Sequence, residues 1–167
     1  MPTVNDLLGK TIFVDANAFL YFLGAECDEL TREIFRYARL EKLSLVTSVT
    51  VVDEVLFKAL LAKAREVFGI KKNIHDFLRR NKDRVKKLAD VCKVVFDLLE
   101  LTKVEVVEIR ESTLRGTEAI MKDYGLFGND AISLKVMRER NLRYILTSDK
   151  DFEGIKELVV INPLGDG

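Results

Sequence analysis

The sequence contains no tryptophan, no glutamine, one histidine, two cysteines and two prolines. The cysteines, Cys27 and Cys92, are 65 positions apart and form no CxxC pair. With His75 as the lone histidine, almost no room is left for a zinc site of the usual Cys/His kind. Cys92 falls on an apolar helical face and reads as a buried thiol, and a Cys27–Cys92 disulfide would be out of place in a reducing cytosol. No apolar run approaches the roughly 18 residues of a membrane span. The N-terminal MPTVNDLLGK lacks a basic start followed by an apolar stretch, so no signal peptide is expected. The expectation is a cytoplasmic protein without membrane contact. No G-x-G-x-x-G follows a strand and no GxxxxGK[ST] occurs, so dinucleotide and P-loop chemistries lack their phosphate cradles. The absence of glutamine beside abundant Lys, Arg and Glu is a pattern of hyperthermophile proteins.

Hydrophobic residues make up 48% of the 167-residue chain, enough for the core of a single domain spanning residues 1–167. Charged residues make up 32% and cancel to a net charge of zero, but unevenly. Between residues 71 and 87 stand Lys71, Lys72, Arg79, Arg80, Lys82, Arg84, Lys86 and Lys87 against Asp76 and Asp83 only. That segment carries +6 and the rest of the chain −6. Such a stretch either holds phosphates or is a solvated helix face. His75 lies inside it and reads as a surface residue.

Strand and helix patterns alternate. Strands are expected at 11–15, 43–47, 104–109, 143–147 and 158–161, the last stopped by Pro163. Helices are expected at 18–23 (ended by Gly24), 29–41, about 51–68 (ended by Gly69), 112–124 (weakened by Gly116) and 130–140. Thr50 and Asp53 form a pair resembling a capping box at the third helix start. Ile74, Phe77, Leu78, Val85, Leu88, Ala89, Cys92, Val95, Phe96 and Leu99 keep one apolar face over 26 residues, thinning at Asn81 and Lys82. This stretch is one long helix or two. Residues 165–167 read as a loose tail. The alternation implies an α/β fold with a mostly parallel sheet covered on both faces. The near-continuous apolar runs at 12–14 and 144–146 suit central strands. If those strands are neighbours, the crevice between their C-terminal ends is a topological switch point, where α/β ligand sites form.

Four acids fall on that rim. Asp15 in TIFVDAN and Asp149 in YILTSDKDF each end an apolar strand, and Glu54 in SVTVVDEVLF and Asp130 in FGNDAIS lie near helix starts. Singly, each is ordinary in a chain with 27 acids, and Asp130 or Asn129 could simply cap a helix. Together they would repel one another unless a cation neutralised them. The natural occupant is a hard, oxygen-seeking ion, Mg²⁺ or Mn²⁺. Glu54 sits among Val51, Val52, Val55 and Leu56, where an unpaired carboxylate would be costly to bury. Asp151 is read as a turn-former rather than an extra ligand. Asn17, Thr147 and Ser148 are candidate donors that orient the carboxylates, or ordinary turn residues. A phosphatase of the haloacid dehalogenase kind would want a second Asp two positions after Asp15, where Asn17 stands.

The segments VDANAFLYFL, VTVVDEVLF, GNDAISL and YILTSDKDF, in that order, resemble the PIN domain, the fold of many prokaryotic VapC toxins and of several RNA-processing nucleases. The likeness runs from about residue 11 to residue 161. It implies a three-layer sandwich with a five-stranded parallel sheet in the order 3-2-1-4-5. It also implies Mg²⁺- or Mn²⁺-dependent cleavage of single-stranded RNA, with Asp15, Glu54, Asp130 and Asp149 as the catalytic and metal-binding quartet. Asp15 and Asp130 would be the direct ligands, and Glu54 and Asp149 would complete the site. The implied partners are an RNA substrate, a small antitoxin protein and a second copy of the chain, with Phe19, Tyr21 and Phe22 serving either a dimer face or the core. The alternatives are a nuclease maturing stable RNA without an antitoxin, and a catalytically silent interaction module.

Overall fold

The computed structural model describes residues 2–165. After a 3₁₀ turn at Val4–Leu7 the chain runs β1 (Thr11–Val14), α1 (Ala16–Leu23), α2 (Glu29–Arg39), β2 (Ser44–Ser48) and α3 (Val49–Phe68). It continues through α4 (Ile74–Arg80), α5 (Lys82–Lys86), α6 (Asp90–Leu101), β3 (Glu105–Val107), α7 (Glu111–Arg115) and α8 (Thr117–Tyr124). Then come α9 (Gly128–Glu139), β4 (Tyr144–Leu146), a 3₁₀ turn at Lys150–Phe152 and β5 (Val159–Ile161). The five strands form one parallel sheet in the order β3-β2-β1-β4-β5, flanked by helices in a three-layer α/β sandwich. Among the described residues, no helix is long and apolar enough to cross a membrane.

The central strands are apolar because both of their faces are covered. Ile12, Phe13, Val14, Ile145 and Leu146 are wholly buried, and Phe13 pairs with Val46 on one side and Ile145 on the other. From β1 the chain winds outward to β2 and β3, then returns to β4 and β5 on the opposite side. The C-terminal ends of β1 and β4 therefore open side by side at the switch point. Phe19 is buried, and Phe19 and Phe22 pack on Phe35 at 5.9 and 4.1 Å between ring centroids. Those two aromatics serve the core, while Tyr21 is half-buried.

Several local expectations change. The long apolar stretch is neither one helix nor two but three. Asn81 leaves helical geometry (φ −121°, ψ 66°) and its side chain caps the Phe77 carbonyl at 2.8 Å. A second break at residues 87–89 resets the helical phase. The buried face of α6 is consequently Val91, Val95, Leu98 and Leu99, and Cys92 and Phe96 turn outward. Cys92 is an exposed thiol rather than a buried one, and Cys27 is the buried one; both are free. Upstream, Ile74, Leu78 and Leu88 close a small second core with Ala64 of α3. The expected helix at 112–124 splits at Gly116, where a Cβ would collide with the Lys135 side chain of α9. Ser48, not Thr50, caps α3, accepting from the Val51 N–H at 3.3 Å. Gly165 belongs to a turn closed by its N–H to the Asn162 carbonyl; the rest of the expected tail, residues 166–167, lies outside the described residues.

Candidate active site

Asp15 is delivered by β1. Its backbone is extended and its N–H donates to the Leu146 carbonyl at 3.1 Å, so the ladder to β4 continues one residue past the strand. Its side chain does not cap α1. Instead Oδ2 accepts the Thr147 hydroxyl at 2.7 Å and the Asn17 amide at 2.8 Å. Thr147 Oγ1 in turn accepts from Asn17 at 3.1 Å and from the Asp149 N–H at 3.0 Å, and Asn17 Oδ1 accepts the Ser148 N–H at 3.0 Å. Asn17 and Thr147 thus stitch the ends of β1 and β4 together and hold the Asp15 carboxylate in one orientation. Ser148 contributes its backbone N–H to this network. Burial pushes the Asp15 carboxyl above its ordinary value; the Thr147 and Ala16 hydrogen bonds oppose this, and the Glu54 and Asp149 charges add to it.

Beyond β4 the chain turns sharply. The Asp149 carboxylate accepts the Asp151 N–H at 2.9 Å and caps the 3₁₀ turn. This is the turn chemistry expected of the DKD segment, but the turn uses the Asp151 backbone and leaves its side chain free. One carboxylate oxygen from each of Asp130, Asp149 and Asp151 lies within 4.8 Å of the others. Asp130 reaches this group from the first turn of α9, whose N-cap position is Phe127. Neither Asn129 nor Asp130 is the cap. The Asp130 carboxyl is pushed up to about 6, first by burial and then by the charges of Asp149, Asp15, Glu54 and Asp151. Five acidic side chains therefore act on one another at this rim.

Glu54 comes from the second turn of α3 and is not the unpaired carboxylate its apolar neighbours implied. Val51, Val52 and Val55 point into the core, while Glu54 accepts from Lys58 Nζ at 2.5 Å and from the Asn129 amide at 2.8 Å. Burial pushes its carboxyl up, but the Lys58 and Asn129 hydrogen bonds together outweigh this and hold it below the ordinary value. Asn129 also ties α3 to α9, which sets Asp130 opposite Glu54.

The rim brings Asp130, Asp149 and Asp151 into one close group. Asp15 and Glu54 lie outside that group, each turned toward its own hydrogen-bond donors. Lys58 was missed in the sequence, although its spacing of four from Glu54 is the signal of a helical ion pair. Asn129, a candidate cap from its sequence, instead donates to Glu54. The donors at the rim are carboxylate oxygens without cysteine or histidine, and burial together with the charges of four neighbouring acids raises the Asp130 carboxyl. Both fit a hard divalent cation.

Fold and rim together define a parallel α/β protein with an acidic, oxygen-lined candidate cation site at its switch point. Residues 12–158 match the PIN domain, and the chain belongs to that family. No curated protein matches the sequence. Among solved structures, a toxin–antitoxin complex from Klebsiella pneumoniae is similar at 17% identity, with a TM-score of 0.53, over 91% of this chain and 97% of that one. VapBC2 from Rickettsia felis, bound to a DNA fragment from its promoter, is similar at 15% identity with the same TM-score of 0.53, over 91% and 98% of the two chains. At these identities the likeness is one of fold.

Proposed function

We propose that the protein is a metal-dependent endoribonuclease that cleaves single-stranded RNA and acts as the toxin of a VapBC-type pair in the cytoplasm. The observation that carries the chemistry is the convergence of Asp130, Asp149 and Asp151 within 4.8 Å, beside the oriented Asp15. Asp15, Asp130 and Asp149, joined by Asp151, would hold Mg²⁺ or Mn²⁺. Glu54 would complete the site from its anchored position on α3. When bound, such an ion acidifies water and offsets charge on phosphoryl oxygens.

The chain's own residues do the rest. Thr147 and Asn17 fix the Asp15 carboxylate, so no reorganisation is needed when substrate arrives. Asn129 and Lys58 hold Glu54 ionised and directed. The exposed cations of residues 71–87 would attract the RNA backbone. The similar structures include a toxin–antitoxin complex and VapBC2, which supports the toxin reading and a small antitoxin as partner. A homodimer is proposed from the family resemblance and is tested by sedimentation. The nuclease reading is tested by incubating a labelled single-stranded RNA with the protein and Mg²⁺ or Mn²⁺, with EDTA as control. Cutting that requires the ion supports it, and protein that binds the ion and RNA without cutting would point to a silent module. Inhibition of that cutting by a small protein encoded beside this one marks a toxin, and cutting that such a protein leaves unchanged marks a stable-RNA maturation enzyme.

A further inference from the structure

Two aromatic rings stand exposed beside the acidic rim. Phe127 is 71% exposed and Phe57 46%. Phe127 is the N-cap residue of α9 and Asp130 the third residue of that helix. Those two positions lie on one side of a helix start, which is why capping pairs form between them. Phe57 follows Glu54 by three residues on α3, a spacing that places side chains on a common face. The Asn129–Glu54 hydrogen bond of 2.8 Å joins the two helices that carry these rings.

The chain around Phe127 follows a defined turn. Leu126 before it is buried, and Gly125 and Gly128 on either side take φ of +73° and +59°, a backbone shape that side chains other than glycine rarely adopt. On the α3 side, His75, in the first turn of the basic α4, packs edge-on against Phe57 at 5.8 Å. Among the described residues, Lys71, Lys72, Arg79 and Arg80 form no ion pair, whereas Lys58, Lys63, Lys93, Arg115 and Lys122 are each paired. Unpaired cations on the segment that reaches Phe57 through His75 match a polyanion that carries flat bases better than they match an apolar peptide.

We propose that Phe127 is a base-stacking platform for a single-stranded nucleic acid, with the Phe57–His75 pair as a second stacking position and α4 tracking the backbone. This rests on the nuclease reading and names how its substrate is gripped. An unpaired base offers its face to an aromatic ring and a paired base does not, so the platform selects single strands without reading sequence.

The test uses the Asp15→Asn protein with Mg²⁺, to prevent cutting, and a short fluorescein-labelled single-stranded RNA followed by anisotropy. The same strand built from abasic nucleotides is the comparison. Phe127→Ala is expected to weaken binding of the intact strand about tenfold and to leave the abasic strand unchanged, with Phe127→Tyr restoring affinity. Because the chain has no tryptophan, Phe127→Trp gives a sole indole whose emission the unlabelled intact strand should quench and the abasic strand should not. Equal losses on both strands, or unchanged affinity with unquenched emission, would overturn the platform. Unchanged RNA affinity with an altered sedimentation coefficient would also overturn it and assign the ring to a protein contact. If the Phe127-containing parent binds neither strand, the nuclease reading fails together with the platform, and that failure is visible before any Phe127 variant is made.

Discussion

Thr147 donates its hydroxyl to Asp15 Oδ2 at 2.7 Å across the seam between β4 and β1, joining residues 132 positions apart. The pair exists because β1 and β4 are neighbours in the order β3-β2-β1-β4-β5. Both residues are buried, so the bond is made away from bulk water. Replacing Thr147 with Val keeps the shape and removes the donor. It should cost about 1–2 kcal/mol in denaturant unfolding. It should also move the acidic limb of the pH–activity profile upward, because Thr147 lowers the Asp15 pKa. Thr147→Ser should behave as the parent.

The crowding at Asp130 should be visible in stability. Its folded-state pKa is about 6 against an ordinary 3.8, so between these values the folded state binds more protons than the unfolded chain. In EDTA, stability should therefore fall as pH rises through that window and stay reduced above it. Asp130→Asn should remove this dependence and raise stability near neutrality by about 1 kcal/mol, a figure discounted for the half-exposed side chain. Thermal melts across the window measure both.

A divalent cation should reverse the same repulsion. Mn²⁺ at about 100 times its dissociation constant should stabilise the fold by about 2.7 kcal/mol. Asp151→Ala separates the residue's two roles, because the 3₁₀ turn uses its N–H and the close acidic group uses its carboxylate. The variant should be no less stable than the parent in EDTA and should show a smaller Mn²⁺ shift.

Lys71, Lys72, Arg79 and Arg80 should contribute to RNA binding through charge. Changing all four to Ala should weaken binding and flatten the slope of log affinity against log salt by up to about 3. An unchanged slope would return the segment to a solvated helix face.

The fold was readable where one physical cause dominates. The apolar runs at 12–14 and 144–146 suited central strands and are central strands, and Gly24 and Gly69 end helices where expected. Asp15 and Asp149 could be placed at the switch point because they end those runs. The strand order came with the family resemblance. What stayed hidden depends on tertiary context. Cys92 shares the apolar spacing of Leu88 and Val95, but the break at 87–89 turns it outward, and nothing in the local composition marks that break. Ser48 outcompetes Thr50 as a cap because β2 runs directly into α3 without a loop. Asp151 looked like a turn residue because it is one; only the path of the turn carries its carboxylate back toward Asp130.

The most direct test of the central claim compares parent and Asp15→Asn protein on a labelled single-stranded RNA with Mn²⁺, with and without EDTA. The expected result is cutting by the parent alone, abolished by EDTA, with both proteins equally folded by circular dichroism. Cutting by Asp15→Asn at the parent's rate, or cutting that survives EDTA, would contradict an acidic, metal-dependent centre at the junction of β1 and β4.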